Sequence, residues 1–276
     1  MKRFRTPHGH IKFPMTPTQA VSSNRPTVKS PLKYKPPSTL DISGLAVGDV
    51  LVGVKSCQLD QDRGCHKAIR ETWGKDLPSF CDLKFFTGAI QPWECSTVVD
   101  LLDEISLNCR DDYESLPSKT KAILTWALSR PYKFIFLCDT DTFIIPRRLF
   151  SCGFEKYDYT GVFKRPIGVE FDMVDDRGIA QKNSLPWASG GLGYFLSREA
   201  AEIVIGSNFV HWAEDFNVGQ CLSRAYDRVS IYEPPRMQQW MTWHYCATGH
   251  KRKFNPAWLY RAYELGEPDY KHRWDL

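Results

Sequence analysis

What the 276-residue chain lacks narrows its class first. Its nine cysteines (57, 65, 81, 95, 109, 138, 152, 221 and 246) are scattered, with no Cys-x-x-Cys pair and no zinc-ligand spacing among them, which excludes a zinc-finger or thioredoxin-type motif. The count is odd, so at least one thiol is free or pairs between chains. Buried, reduced cysteine is the expectation for a chain this long, and a few disulfides in an oxidising compartment are also compatible with the spacing. Apolar runs such as Phe134–Cys138 fall far short of the roughly 20 residues that span a bilayer. No Asn-x-Ser/Thr acceptor occurs, and Met1–Ala20 carries no apolar stretch of the kind a secretory signal needs. These absences favour a cytoplasmic protein, or a Golgi-lumenal one if a membrane anchor lies outside this chain. There is no internal repeat. The glycine cluster at 190–193 is no phosphate-binding loop, because no Lys-Ser/Thr follows it.

Acid is missing from one region only. Residues 1–40 hold eight Lys or Arg, seven prolines and no Asp or Glu, a charge of +8, so the remaining 236 residues carry −4. The overall +4 therefore describes neither part, and the basic balance is no argument for nucleic-acid binding by the body. Residues 1–41 read as a disordered, Pro-rich basic tail that cannot bury enough surface to offset its ordering entropy. It is either solvated or tethered to an anionic partner.

The whole chain is 42% hydrophobic and 13% aromatic, and residues 42–276 hold most of those side chains, enough for a sizeable core in one domain. Strand-like runs at Asp49–Cys57, Leu83–Thr87 and Tyr132–Cys138 alternate with helical patterns at Cys65–Trp73, Ser96–Leu107 and Ser118–Ser129. Ser96 and Ser118 are the expected caps, and Pro131 stops the third helix. Later come strands near Tyr159–Lys164, Gly193–Leu196 and Val229–Tyr232, a loop over Arg165–Pro186, and helices after Ser197 and over Glu214–Tyr226. Alternating strands and helices imply an α/β fold with a mostly parallel central sheet. Ligands of such sheets bind beyond the carboxyl ends of the strands.

Chemistry concentrates there. Asp139-Thr140-Asp141 follows the most apolar strand directly, and two carboxylates two residues apart offer hard oxygens to one divalent cation. Ser189-Gly190-Gly191-Leu192-Gly193 lets backbone approach a ligand closely. Glu214-Asp215 opens a helix, where the dipole favours negative charge, and one of the pair fits a general base. His244 or His250 supplies a neutral imidazole to complete the site begun by Asp141. Arg70, after the first strand, could fork onto a phosphate.

In this order, the pieces resemble the Fringe and β1,3-galactosyl/N-acetylglucosaminyltransferase superfamily over residues 49–250. The I-R-x-T-W stretch is Ile69-Arg70-Glu71-Thr72-Trp73, and D-x-Y-x-N-L-x-x-K-T is Asp111 to Thr120, with Ser115 where Asn is usual. The apolar strand ending in D-x-D is Phe134–Asp141, S-G-G-x-G-Y-x-x-S is Ser189–Ser197, and E-D-V-x-x-G is Glu214–Gly219 with Phe216 replacing Val.

The resemblance implies a GT-A (Rossmann-like) fold and a UDP-sugar donor. It implies Mn2+ (or Mg2+) and inversion by direct displacement, forming a β1,3 linkage on a glycan or glycoconjugate. It implies Asp215 as the base with Glu214 beside it, and metal ligation by Asp139, Asp141 and His244, with His250 the fallback. Donor contacts fall to Ser56, Arg70, Lys119, Asp139, Thr140, Gly190 and Gly191. Thr140 departs from the acid usual at the centre of the triplet. The competing expectations are a GT-A transferase of retaining mechanism, one acting on an acceptor such as modified nucleic acid, and a non-catalytic carbohydrate- or nucleic-acid-binding module using the basic tail.

Overall fold

Strand β1 (Val50–Lys55) is buried along its whole length, and its side chains alternate between the two faces of a sheet. Val50, Val52 and Val54 join one hydrophobic cluster and Leu51 the other, as the two-residue period of a strand requires. Strand β1 lies at the centre of the architecture in a computed structural model, which describes residues 44–89, 99–235, 241–245 and 254–266. All of these fall in one compact unit, Thr39–Leu276. The expected tail at 1–41 lies outside the described residues.

After β1 come α1 (Gln58–Asp62), α2 (Cys65–Glu71), β2 (Cys81–Ala89), β3 (Val99–Leu101), β4 (Glu104–Arg110) and α3 (Leu116–Leu128). Then follow β5 (Phe134–Asp139), β6 (Thr142–Ile144), α4 (Pro146–Leu149), β7 (Tyr159–Gly161), β8 (Phe171–Val174) and β9 (Ala180–Ser184). The chain continues through β10 (Tyr194–Ser197), α5 (Arg198–Gly206), α6 (Glu214–Arg224), β11 (Ile231–Tyr232), β12 (Thr242–His244) and α7 (Ala257–Glu264). The central sheet has the order β11-β7-β10-β5-β1-β2-β4-β3. The run β5-β1-β2-β4 is parallel, and β10 is antiparallel to both of its neighbours. The fold is thus the α/β arrangement expected, with a mostly parallel central sheet covered on both faces. Helices α2 and α7 pack on one face, and α3, α5 and α6 on the other. No helix among the described residues is long and apolar enough to cross a membrane.

Three local expectations are corrected. Ser96, the expected cap, lies outside the described residues, and the described part of the expected helix, Val99–Leu107, is not helical but forms β3 and the start of β4, an antiparallel pair. In β4 the buried Ile105 and Leu107 alternate with more exposed neighbours, a two-residue period that outweighs the helical spacing read from sequence, and Leu102 sits 91% exposed at φ +53° between the strands. The expected loop Arg165–Pro186 contains the hairpin β8–β9. Helix α3 also begins at Leu116, two residues before the expected Ser118 cap; the Asp112 carboxylate accepts from Ser115 N at the turn that leads into it. The seven described cysteines are free thiols, and burial pushes Cys65 and Cys152 up to about 12; Cys95 and Cys246 lie outside the described residues.

Helix α6 is seated by Gly219, where an added Cβ would fall 2.1 Å from the Trp187 Cβ and 2.8 Å from its Cα. Helix propensity alone favours Gly→Ala by about 1 kcal/mol. Backbone collision reverses that sign, so Gly219→Ala is expected to destabilise the fold by about 1–3 kcal/mol in urea denaturation.

Candidate metal and acid–base site

Parallel register puts Lys55, the last residue of β1, opposite Asp139, the last of β5. The chain then turns through Thr140 and Asp141 into β6. There the Thr142 hydroxyl accepts from Asp139 N (3.1 Å) and donates to the Gly191 carbonyl (2.8 Å). Antiparallel pairing of β6 with β12 sets His244 opposite Thr142, one residue from Asp141. Strand pairing therefore brings together three side chains, the third distant in sequence from the other two: ligand atoms of Asp139, Asp141 and His244 all lie within 4.8 Å of one another, and His244 Nε2 is 3.1 Å from Asp141 Oδ1. His250 lies outside the described residues. Thr140 turns away, its hydroxyl donating to Asp60 Oδ2 on α1 at 2.6 Å.

The glycine-rich turn is the floor of this site. A Cβ on Gly191 would sit 2.3 Å from the His244 ring, and one on Gly190 would sit 2.5 Å from Glu214 Oε1 and 3.1 Å from the Asp215 Cβ. Two adjacent glycines thus face the imidazole on one side and the helix-opening acids on the other, which explains why no side chain is present at either.

The two acids of α6 have different surroundings. Glu214 is buried and ion-paired to Lys55, and accepts from the Tyr194 hydroxyl (2.8 Å) and from Thr120 Oγ1 (3.4 Å). Its carboxylate is satisfied by protein groups, so it serves as an anchor beside Asp215. Asp215 keeps its side chain 15% exposed, and its Oδ2 accepts from Gly190 N at 2.9 Å with Lys164 Nζ 3.5 Å away.

Lys55 joins the two halves. Its side chain is 1% exposed, against Glu214 and 3.2 Å from Asp139, whose side chain is 32% exposed. Burial alone lowers an ammonium pKa; here the carboxylates of Asp139 and Glu214 outweigh it and hold Lys55 above its ordinary value. Burial raises both Asp139 and Glu214, Lys55 opposes that rise, and the neighbouring Asp141 and Asp215 add to it. Hard carboxylate oxygens and an imidazole nitrogen are a donor set that a divalent cation suits. The Asp139, Asp141 and His244 group can hold such an ion.

The remaining expected donor residues lie on neighbouring elements with protein partners of their own. Lys119 is buried, donating to the Ser56 carbonyl (2.6 Å) and pairing with Asp111 (2.7 Å). Asp111 also accepts from the backbone of Gln58 and Gly88, tying the end of β4 to those of β1 and β2. Ser56 Oγ lies 2.7 Å from His66 Nε2, and His66 Nδ1 is 3.0 Å from Glu104. Arg70 is committed to Asp103 through two hydrogen bonds and to Glu104 through a third; a free phosphate fork at Arg70 is therefore not what the fold presents.

Sequence reasoning does not reach Lys55, His66 or Glu104. The available signal for Lys55 is a lone cation ending an otherwise apolar strand whose parallel neighbour ends in an acid. His66 and Glu104 offer none, because their pairing depends on a strand that reads as helix.

No protein-family model and no curated protein matches the sequence. Solved structures with similar chains include the inositol-1-phosphate CTP transferase from T. maritima, at 12% identity and TM-score 0.34, covering 69% of this chain and 86% of that one. The 2-C-methyl-D-erythritol 4-phosphate cytidylyltransferase from Thermus thermophilus matches at 10% identity and TM-score 0.35, covering 79% and 98%. A glycosyltransferase involved in the glycosylation of the major capsid of PBCV-1 matches at 11% identity and TM-score 0.38, covering 78% and 99%. At these values the likeness carries no functional argument.

Removing Lys55 leaves a buried carboxylate without its cation, so Lys55→Met is expected to destabilise the fold by about 3–5 kcal/mol in denaturant titration. Glu214 then has a folded pKa further above its unfolded one, and the folded state binds the extra proton. The loss, measured in EDTA, is accordingly fully present at high pH and shrinks as the pH falls through the raised value toward the unfolded one.

Proposed function

We propose that the chain is an inverting, metal-dependent glycosyltransferase of the GT-A type, moving a hexose or N-acetylhexosamine from a UDP-sugar to a hydroxyl of a glycan or glycoconjugate. The observation that carries the reading is the two-sided site: a metal-competent Asp139, Asp141 and His244 group and an accessible Asp215, separated by Gly190 and Gly191. The sequence resemblance to the Fringe and β1,3-galactosyltransferase superfamily supports the same assignment and adds the β1,3 linkage.

Asp139, Asp141 and His244 would hold the Mn2+ or Mg2+ ion, which when bound neutralises charge on the leaving diphosphate. The acceptor hydroxyl is a poor nucleophile until its proton is removed. Asp215 takes that proton, oriented by the Gly190 N–H on its Oδ2. Glu214, held by Lys55, Tyr194 and Thr120, fixes the first turn of α6 and so the reach of Asp215. Inversion needs one carboxylate on the face opposite the diphosphate, and no covalent intermediate forms. Gly190 and Gly191 let His244, Glu214 and Asp215 close on the backbone of this turn, which would border the transferred sugar.

Asp215→Asn is expected to keep donor binding and lose transfer by about two to four orders of magnitude; substantial transfer by this variant would remove Asp215 from the role. Asp141→Ala, or exhaustive chelation by EDTA, is expected to abolish nucleoside diphosphate release from the donor, and undiminished release argues against the metal. NMR of the product's anomeric proton separates inversion from retention.

A further inference from the structure

The hairpin β8–β9 carries no residue of the site described above, yet its tip holds a buried carboxylate. Asp175 Oδ1 accepts from the backbone N–H groups of Arg177 (2.9 Å) and Ile179 (2.8 Å). Its Oδ2 accepts from the Trp212 indole (3.2 Å) and lies 2.9 Å from His211 Nε2. Burial opposes ionisation here, but these four donors outweigh it and hold the carboxyl down at about 2.

His211 passes the contact on. Its Nδ1 accepts the backbone N–H of Ala213 at 3.0 Å, so the ring proton is assigned to Nε2 and donated to Asp175. Ala213 is the residue that caps α6, two positions before Asp215. Asn217 closes the same segment from the helix side, accepting from Val210 N and His211 N and donating to the carbonyls of His211 and Ala213. The side chains of Asp175 and His211 are only 2% and 5% exposed. Arg177, at the hairpin tip, stacks over the Trp212 ring at 4.6 Å and pairs with Glu114 at 2.7 Å, which spans the hairpin across to the turn before α3.

We infer that Asp175 and His211 are positioning residues: through the Ala213 N–H they fix the entry of α6, and with it the placement of Asp215. The inference rests on the reading of Asp215 as base. The hairpin then has a task in transfer although neither residue touches Asp215. Displacing a reacting group by about an ångström can lower the rate about a hundredfold, and beyond its own turn Asp215 is held by the Gly190 N–H and the exposed Lys164.

Three variants test it, with steady-state transfer, donor KM and thermal unfolding measured for each. Asp175→Asn removes one acceptor face of the carboxylate. His211→Gln keeps a donor toward Asp175 and gives up the Ala213 bond, and His211→Asn does the reverse. The expected result is a fall in kcat of about tenfold to a hundredfold in all three, with donor KM and Mn2+ binding within about twofold of wild type, since the metal group is built on other elements. Wild-type kcat in folded His211→Gln and His211→Asn overturns the inference, as does a loss of donor affinity that matches the loss of rate. If Asp175→Asn fails to fold, the two His211 variants decide the matter. Asp215→Asn runs in parallel: if it transfers normally, the base assignment falls and the inference with it; if it is inactive while the others are at wild-type rate, only the inference falls.

Discussion

One buried ammonium organises the site. Lys55 stands at the end of the central strand, where parallel pairing leaves it facing Asp139, and where α6 delivers Glu214 from the opposite direction. An unpaired cation at this depth is untenable, and so is an unpaired Glu214. Their mutual satisfaction fixes the distance between the end of β5 and the start of α6. Asp141 and His244 depend on the first of these, and Asp215 on the second. The glycine pair at 190–191 follows from the same constraint, since any side chain there would occupy the space between them.

Two groups of side chains lie on either side of that link. The metal-competent group is made entirely by strand ends and the β6–β12 pairing, so it rests on backbone hydrogen bonds of the sheet. The Asp215 side is made by a helix N-terminus whose entry is held by side chains, Glu214 and Asn217 from the helix and Asp175 from the hairpin. The tip of the β8–β9 hairpin braces the segment leading to Asp215 through the contacts of Asp175 with His211 and of His211 with the Ala213 N–H.

Much of this is legible in the sequence, for identifiable reasons. The strands β1 and β5 announce themselves as apolar runs, and the Asp139–Asp141 pair stands out because it terminates the more apolar of the two. The glycine cluster and the Glu214-Asp215 helix start are local signals, readable from their immediate neighbours. The sequence is silent where the answer is tertiary. Ile105 and Leu107 carry a strand period within a segment whose neighbours mimic a helical one. Arg70 looks free on a helix until the β3–β4 turn supplies Asp103 and β4 supplies Glu104. Glu214 and Asp215 are adjacent and chemically alike, and only the positions of Lys55 and Tyr194 show that the first is enclosed while the second keeps 15% of its side chain exposed. Asp175 and His211 lie in what reads as loop, 36 residues apart, and nothing local pairs them.

The central claim is that one divalent-cation site and one base sit on opposite sides of Lys55 and can be removed independently. Titration of Mn2+ in the presence of UDP, followed by electron paramagnetic resonance, tests it most directly. The account predicts one bound Mn2+ per chain in the wild type and in Asp215→Asn, and none in Asp141→Ala. Unchanged stoichiometry in Asp141→Ala, or its loss in Asp215→Asn, would contradict it.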